Sequence, residues 1–220
     1  MDNQNHHCNI DKYLQSIPVE TLPCYKKYNV KYEYFDGIYK LMGRSLKENK
    51  RLSVIRFDLH IPKYSRDTPI DHTFAISRFI EALKYRLKAD QTKKRREGKR
   101  TYPLGFKYLW AREIGNESNR AHYHVAIFVN KDSYNELGNF RDRRGLSHLI
   151  IMAWSTTFKL DYEHAQTLVH FPHEPVAWLN PMSNDFEASL KSVLNRLIYL
   201  AKYETKVYGV PSRNFGMSQK

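Results

Sequence analysis

The sequence is poor in cysteine and has no long hydrophobic run. Cys8 and Cys24 are the only two cysteines among 220 residues. They exclude a disulfide framework for most of the chain and favour a reducing cytoplasm. No apolar stretch approaches the roughly 18 residues that span a bilayer. The first ten residues are polar, so we expect neither a membrane span nor a secretory signal.

Acidic residues are also scarce relative to basic ones. Lys and Arg number 36 and Asp and Glu 23, which gives a net charge of +13. This excess favours a polyanionic partner, with nucleic acid first and an anionic membrane surface second. Hydrophobic residues make up 41% of the chain and aromatic residues 14%, including 16 tyrosines. This is enough apolar surface for a core, which excludes a wholly disordered chain.

The patterning predicts one main domain with N-terminal additions. Residues 1–24 are polar and contain two prolines, so we expect a flexible arm, followed by a helical extension over 25–50 and the main domain over 51–217. Within that domain we predict strands at 52–61, 105–114, 121–129 and 166–171, and helices at 71–90, 146–158 and 183–206. This order favours an α+β fold, with the helices grouped on one face of an antiparallel sheet.

A dense basic run at 93–100 is the first candidate for phosphate contact. It follows the predicted helix over 71–90 and contains Lys93, Lys94, Arg95, Arg96, Lys99 and Arg100. Arg112 is a further candidate for DNA binding. The alternative is a solvated loop without a partner.

Two histidines in the strand AHYHVAIFV are candidate metal ligands. Side chains alternate across a sheet, so His122 and His124 share one face while Tyr123 and Val125 point to the other. If residues 115–120 form a hairpin loop, Glu113 lies directly opposite His122, with Cβ atoms about 5 Å apart. Two imidazoles and one carboxylate suit a divalent Lewis acid. Mg²⁺ or Mn²⁺ is favoured over structural zinc because no thiolate is near. The alternative is a solvent-facing pair of histidines.

A tandem YxxK pattern gives candidate nucleophiles in the predicted helix over 183–206. On a helical wheel Tyr199, Lys202, Tyr203 and Lys206 fall within about 100° of arc, opposite the apolar stripe. A phenol can attack phosphorus and hold a DNA end covalently. A neighbouring ammonium group favours the phenolate and neutralises developing charge. For any single tyrosine, packing or surface exposure is the alternative.

The combination of these motifs resembles the HUH endonucleases that initiate rolling-circle replication. The match consists of HYH at 122–124 and YLAKYETK at 199–206, in the order which that family uses. The tandem tyrosines resemble its two-tyrosine branch. The wider context is similar to the inovirus gene-II-type replication proteins of bacterial prophages, in the segments WARE, HYHVAIFVN, LIYLAKYETK and RNFGMS. The resemblance covers roughly residues 50–217, and the strand RFDLHIP stands where the first motif of the family lies.

The resemblance implies a fold, a reaction and partners. The fold would be a HUH/Rep-like antiparallel sheet sandwiched by helices, with the histidine strand in its middle. His122, His124 and Glu113 would bind Mg²⁺ or Mn²⁺. Tyr199 and Tyr203 would form 5′-phosphotyrosine links and leave a free 3′-OH, with Lys202 and Lys206 assisting at the phosphate.

The same resemblance implies a biological setting. The substrate would be the single-stranded origin DNA of a phage or prophage-like element, in the cytoplasm of a bacterial host and without a membrane partner. The chain has no G-x-x-x-x-G-K-[ST] motif, so unwinding would need a host helicase, and synthesis a host polymerase. Two alternatives remain open: a catalytically inactive DNA-binding regulator on the same scaffold, and a plasmid relaxase with the same chemistry.

Overall fold

The period-two segments of the sequence form one antiparallel sheet in the computed structural model. The structure describes residues 10–15, 17–63, 74–114, 121–139, 142–202 and 213–219. The strands are β1 (Leu52–His60), β2 (Lys107–Ile114), β3 (Ala121–Asn130), β4 (Val169–His170), β5 (Val176–Leu179) and β6 (Phe215–Met217). Their order across the sheet is β4, β1, β3, β2, β6, and β5 pairs with β1 on the edge that β4 also occupies. The histidine strand β3 is therefore central.

Helices flank this sheet over most of the described chain. They are α1 (Ile10–Gln15), α2 (Pro23–Lys27), α3 (Tyr32–Glu48), α4 (Ala75–Arg96), α5 (Leu146–Phe158), α6 (Tyr162–Thr167) and α7 (Phe186–Ile198). Short 3₁₀ turns occupy Val19–Thr21 and Tyr199–Ala201. Within the described residues, every helix is too short or too polar to cross a bilayer.

The sheet has an apolar core on each face. Leu52 and Val54 of β1 pack with α3 and α7, whereas Ile55 and Phe57 pack with α4 and α5. The α+β class is confirmed, but the grouping of all helices on one face is wrong. Both faces of the central strands are apolar, and each needs a covering layer. Helices on both faces are what the resemblance implies, while a closer likeness to the HUH fold stays a prediction.

The N-terminal segment belongs to the core. The composition of residues 1–24 predicts a flexible arm, yet Ile10, Leu14, Ile17 and Leu22 are buried in the same cluster as α3 and α7. Residues 1–9 and 16 lie outside the described residues. The arm prediction is thus wrong for the described part, because four spaced apolar side chains find a covering role against α3 and α7.

The helix α3 is likewise an integral layer of the fold. Ile38 and Leu41 are fully buried, in one core with the strands β1, β2 and β3. The predicted separation of an extension over 25–50 from a domain that begins at residue 51 therefore has no counterpart in the packing.

Several predicted elements are confirmed and others end elsewhere. The first strand, the hairpin strands and the helix over 146–158 are present as β1, β2, β3 and α5. The predicted strand over 166–171 is instead the end of α6 followed by the two-residue strand β4. The helix predicted over 183–206 begins at Phe186 and ends at Ile198, and the C-terminal segment contributes the short strand β6. The helix predicted over 71–90 is α4, which begins at Ala75 and continues to Arg96, while residues 64–73 lie outside the described residues.

The buried N-terminal segment gives a test of the fold. Ile17→Ala and Leu22→Ala should each lower the free energy of unfolding by about 3 kcal/mol, because each leaves a cavity in the core. Urea unfolding followed by far-UV circular dichroism measures this change. Glu20→Ala, at an exposed position of the same segment, should leave the unfolding midpoint almost unchanged. A wild-type midpoint for Leu22→Ala would contradict the packing.

Candidate metal centre and tyrosine site

The registers of three strands bring the polar residues of one sheet face together. In the hairpin, Glu113 pairs with His122, as the sequence predicts from a loop over 115–120. In the β1–β3 pair, Asp58 lies opposite His124 and His60 opposite His122. Because neighbours across a ladder share a face, carboxylates from both adjacent strands flank the two imidazoles.

Glu113, His122 and His124, the ligand triad, have the geometry of a metal site. The two Nε2 atoms lie 3.2 Å apart, and His124 Nε2 lies 3.3 Å from Glu113 Oε2. One ligand atom from each residue lies within 4.8 Å of the other two. Glu113 is 3% exposed, so its carboxylate is held in place. Two imidazole nitrogens and one carboxylate oxygen fit a divalent cation that keeps positions open for substrate. Metal binding at these three residues, and the choice of Mg²⁺ or Mn²⁺, stay predictions.

Asp58 orients the central histidine of this triad. Its Oδ1 lies 2.6 Å from His124 Nδ1. Burial opposes the charge of Asp58, but the hydrogen bond with His124 lowers its pKa, so the carboxylate is the acceptor and Nδ1–H donates. That tautomer leaves the lone pair of Nε2 directed at the other ligands. A carboxylate behind a ligand histidine fixes the ring and increases its basicity.

The pKa values of His122 and His124 are shifted in opposite directions. Burial disfavours the charged form of His124, but the hydrogen bonds with Asp58 and Glu113 raise its pKa above the ordinary value. Burial and the neighbouring His124 lower the pKa of His122. His60 stacks on His122 with ring centroids 5.6 Å apart, and burial lowers the pKa of His60 as well. Neutral imidazoles, such as these shifts favour at His122, are the form that binds metal.

Tyr199 and Lys202 reach this site from the end of α7, which covers the same sheet face. Lys202 Nζ donates to the Tyr199 hydroxyl over 2.8 Å and lies 3.3 Å from Glu113 Oε2. The ammonium group thus joins the phenol to the ligand triad. Lys202 is 6% exposed. Burial opposes its charge, but the contacts with Tyr199 and Glu113 raise its pKa, so Lys202 stays protonated.

A second cation flanks the same phenol ring. The Arg56 guanidinium lies 5.4 Å from the centroid of the Tyr199 ring, and Lys202 Nζ lies 4.1 Å from it. Arg56 is next to Asp58 on the same face of β1. Two cations beside one phenol ring give this part of the site a positive charge that attracts a phosphate.

The structure brings together some of the predicted site residues and separates others. Glu113, His122, His124, Tyr199 and Lys202 converge on one face of the sheet. Tyr203 and Lys206 lie outside the described residues, so their roles stay predictions.

The predicted DNA-binding residues lie apart from this convergence. Lys93 to Arg96 form the last turn of α4, and Lys94 lies 4.6 Å from the Tyr134 ring, beyond the end of β3. The ligand histidines are at the other end of β3, roughly 25 Å away at the rise of a strand. Arg112 adjoins Glu113 in β2 and therefore points to the opposite face.

Arg56 and Asp58 have no predicted role, although the sequence contains a partial signal for them. The alternation in RFDLHI shows that Arg56, Asp58 and His60 share a face. It does not show that β1 pairs with β3, and this pairing is what sets Asp58 beside His124.

Comparison with known proteins shows relatives of similar length. The family described as YagK/YfjJ C-terminal domain matches residues 19–218. The uncharacterized protein YagK of Escherichia coli (strain K12) is 38% identical over 193 residues, which cover 85% of this chain and 92% of YagK. The uncharacterized protein YfjJ of the same strain is 32% identical over 197 residues, covering 84% and 93%. No solved structure matches the chain.

The ligand triad predicts specific losses of metal affinity. His124→Ala should abolish Mn²⁺ binding measured by isothermal titration calorimetry. Asp58→Asn keeps all three ligands but should weaken binding about 10- to 100-fold, because the ring loses its ionised partner. His173→Ala, which removes an exposed histidine elsewhere, should bind as the wild type does. Unchanged affinity in His124→Ala would contradict the site.

The raised pKa of His124 predicts the pH dependence of binding. Protons and metal compete for Nε2, so Mn²⁺ affinity should fall as the pH drops through the pKa of His124. That pKa lies above the ordinary 6.5, so the decline should begin at a higher pH than for a typical histidine. Asp58→Asn removes a partner that raises this pKa, and the decline should move to lower pH. Titrations between pH 5.5 and 8 test the direction, and a shift to higher pH would contradict the Asp58 assignment.

Proposed function

The chain belongs to the YagK/YfjJ C-terminal domain family, and we propose that it is a metal-dependent endonuclease that cuts and rejoins single-stranded DNA through a tyrosine. One observation carries the proposal. The ammonium group of Lys202 contacts both the Tyr199 hydroxyl and the Glu113 carboxylate. A nucleophile, a cation and a ligand triad thus share one site, which is the arrangement that phosphodiester transfer needs.

The residues of the site have complementary roles in this reaction. A divalent cation held by Glu113, His122 and His124 would supply Lewis acidity at the scissile phosphate. The Tyr199 oxygen attacks phosphorus, and the bond between phosphorus and the 3′ oxygen breaks. The DNA remains attached as a 5′-phosphotyrosine, and the phenol proton ends on the released 3′-OH. Lys202 and Arg56 stabilise the negative charge that develops during the attack.

A second tyrosine extends the reaction to replication. By the resemblance, Tyr203 with Lys206 would accept a second strand transfer while the first tyrosine holds its product. This supports initiation of rolling-circle replication of a phage or prophage-like element at single-stranded origin DNA, with host helicase and polymerase completing synthesis. The setting would be the cytoplasm of a bacterial host.

The proposed reaction predicts a covalent adduct that depends on metal. The purified protein should become linked to a pool of random-sequence single-stranded oligonucleotides only with Mn²⁺ or Mg²⁺. Tyr199→Phe and Tyr203→Phe should each reduce the adduct, and the double variant should form none, because the nucleophilic oxygens are gone. Tyr85→Phe, at an exposed tyrosine of α4, serves as the matched control. Mass spectrometry of the linked peptide identifies the tyrosine, and an adduct in the double variant would exclude both.

Loss of the metal should separate cleavage from binding. His124→Ala should abolish nicking while salt-sensitive DNA binding persists, since the net basic charge remains. Normal cleavage by this variant would remove the metal from the mechanism. If the wild-type protein binds DNA without nicking it in any divalent cation, the inactive regulator is the better explanation.

A further inference from the structure

The segment that joins α2 to α3 lies beside the candidate nucleophile. Val30 forms an antiparallel bridge with Lys202, the residue that contacts Tyr199. The Tyr28 ring meets the Tyr199 ring edge-on, with centroids 5.4 Å apart. This segment therefore lies within reach of a DNA strand whose phosphate is bound at Tyr199.

Cations and aromatic rings are interleaved along residues 27–34, the platform segment. Lys27 Nζ lies 5.2 Å from the centroid of the Tyr28 ring, and Lys31 Nζ lies 5.1 Å from that of Tyr34. Tyr32 is 71% exposed. Cations that bind the backbone, next to rings on which bases stack, are the usual means of holding single-stranded nucleic acid.

The platform segment is supported from beneath. The Tyr34 ring stacks on Phe215 with centroids 4.2 Å apart, and Phe215 in β6 pairs with Ala111 of β2. The segment also continues directly into α3, a layer of the core. The Tyr34 ring and the backbone that leads into α3 are therefore pre-ordered, which reduces the entropy lost when DNA binds.

The basic run at 93–100 offers a less suitable surface. It lies at the far end of the sheet from the ligand triad. Lys94 pairs with Asp90 at 2.7 Å, and Lys99 pairs with Glu97 at 2.8 Å. Within the described residues, Arg95, Arg96 and Arg100 of the run form no ion pair with a carboxylate, and neither do Lys27 and Lys31. The distance of the run from the ligand triad is therefore what makes it the less suitable surface.

We propose that the platform segment binds the single-stranded DNA that flanks the scissile phosphate, with Lys27 and Lys31 on phosphates and Tyr28 and Tyr32 against bases. This inference rests on the proposed function, because it places the strand relative to Tyr199. It assigns the DNA path to the N-terminal part of the domain and not to the basic run.

Charge-matched variants test the proposal by binding alone. The assay measures fluorescence anisotropy of labelled oligo(dT), in EDTA and in a Tyr199→Phe background. Lys27→Gln/Lys31→Gln should weaken binding about tenfold and reduce the slope of log affinity against log salt by about 1.4, at about 0.7 for each phosphate contact. Lys93→Gln/Lys94→Gln removes the same charge and should change affinity less than twofold. Equal losses in the two variants would overturn the proposal, as would binding of duplex DNA in preference to oligo(dT).

A second pair of variants tests the aromatic contacts. Tyr32→Ala should weaken oligo(dT) binding about tenfold through lost base stacking. Tyr85→Ala is the control, because this tyrosine is 74% exposed on α4 and should have no effect. Because the Tyr32 side chain is mostly in solvent, its replacement by alanine should leave the core packing and the folding of the protein intact. Unchanged affinity in Tyr32→Ala would remove it from the DNA path.

Photo-crosslinking separates this inference from the nuclease proposal. Oligonucleotides with 5-iodouracil should crosslink to the peptide that contains residues 28–34, and crosslinks confined to residues 93–100 would overturn the platform. EDTA prevents cleavage, so these results do not depend on nicking. Nicking without these crosslinks would support the proposed function and contradict the platform. Crosslinks without nicking would support the platform and contradict the proposed function.

Discussion

The antiparallel pairing of β3 with both of its neighbours determines the geometry of the site. One register sets Glu113 opposite His122, and the other sets Asp58 opposite His124. A shift of either by one residue would turn polar side chains into the core under α4 and α5. Buried residues that alternate with the polar ones, such as Phe57, therefore hold the ligands in place. The packing of one face and the chemistry of the other are set by the same hydrogen bonds.

Local pairing could be predicted from the sequence, and distant pairing could not. A short polar loop between two alternating strands determines the hairpin register. Counting residues outward from the loop over 115–120 therefore places Glu113 beside His122. No turn links β1 to β3, and a helix and a strand lie between them in the chain. The partnership of Asp58 with His124 is therefore a tertiary result. The three-residue strand β6 is too short to give any periodic signal.

Two other differences arise from contacts that a periodic pattern does not contain. Spacing by three residues correctly set Tyr199 near Lys202, since a 3₁₀ turn preserves that neighbourhood. The helix α7 ends before the predicted residue 206, because the backbone of Lys202 pairs with Val30 and does not continue the helix. The buried N-terminal segment was missed for a related reason. Its apolar residues are separated by prolines and polar residues, and only their packing against α3 and α7 gives them order.

The contact between Lys202 and Glu113 has a consequence for how such a protein can diverge. Both groups are almost fully buried. Replacing either one leaves the other in a low-dielectric setting with one counter-charge fewer, which costs stability. In a lineage no longer under selection for the reaction, losing only one of these two residues would still destabilise the protein. The two positions should therefore change together, to a pair of uncharged side chains. Until that happens, a relative that has lost the reaction should still retain both Lys202 and Glu113.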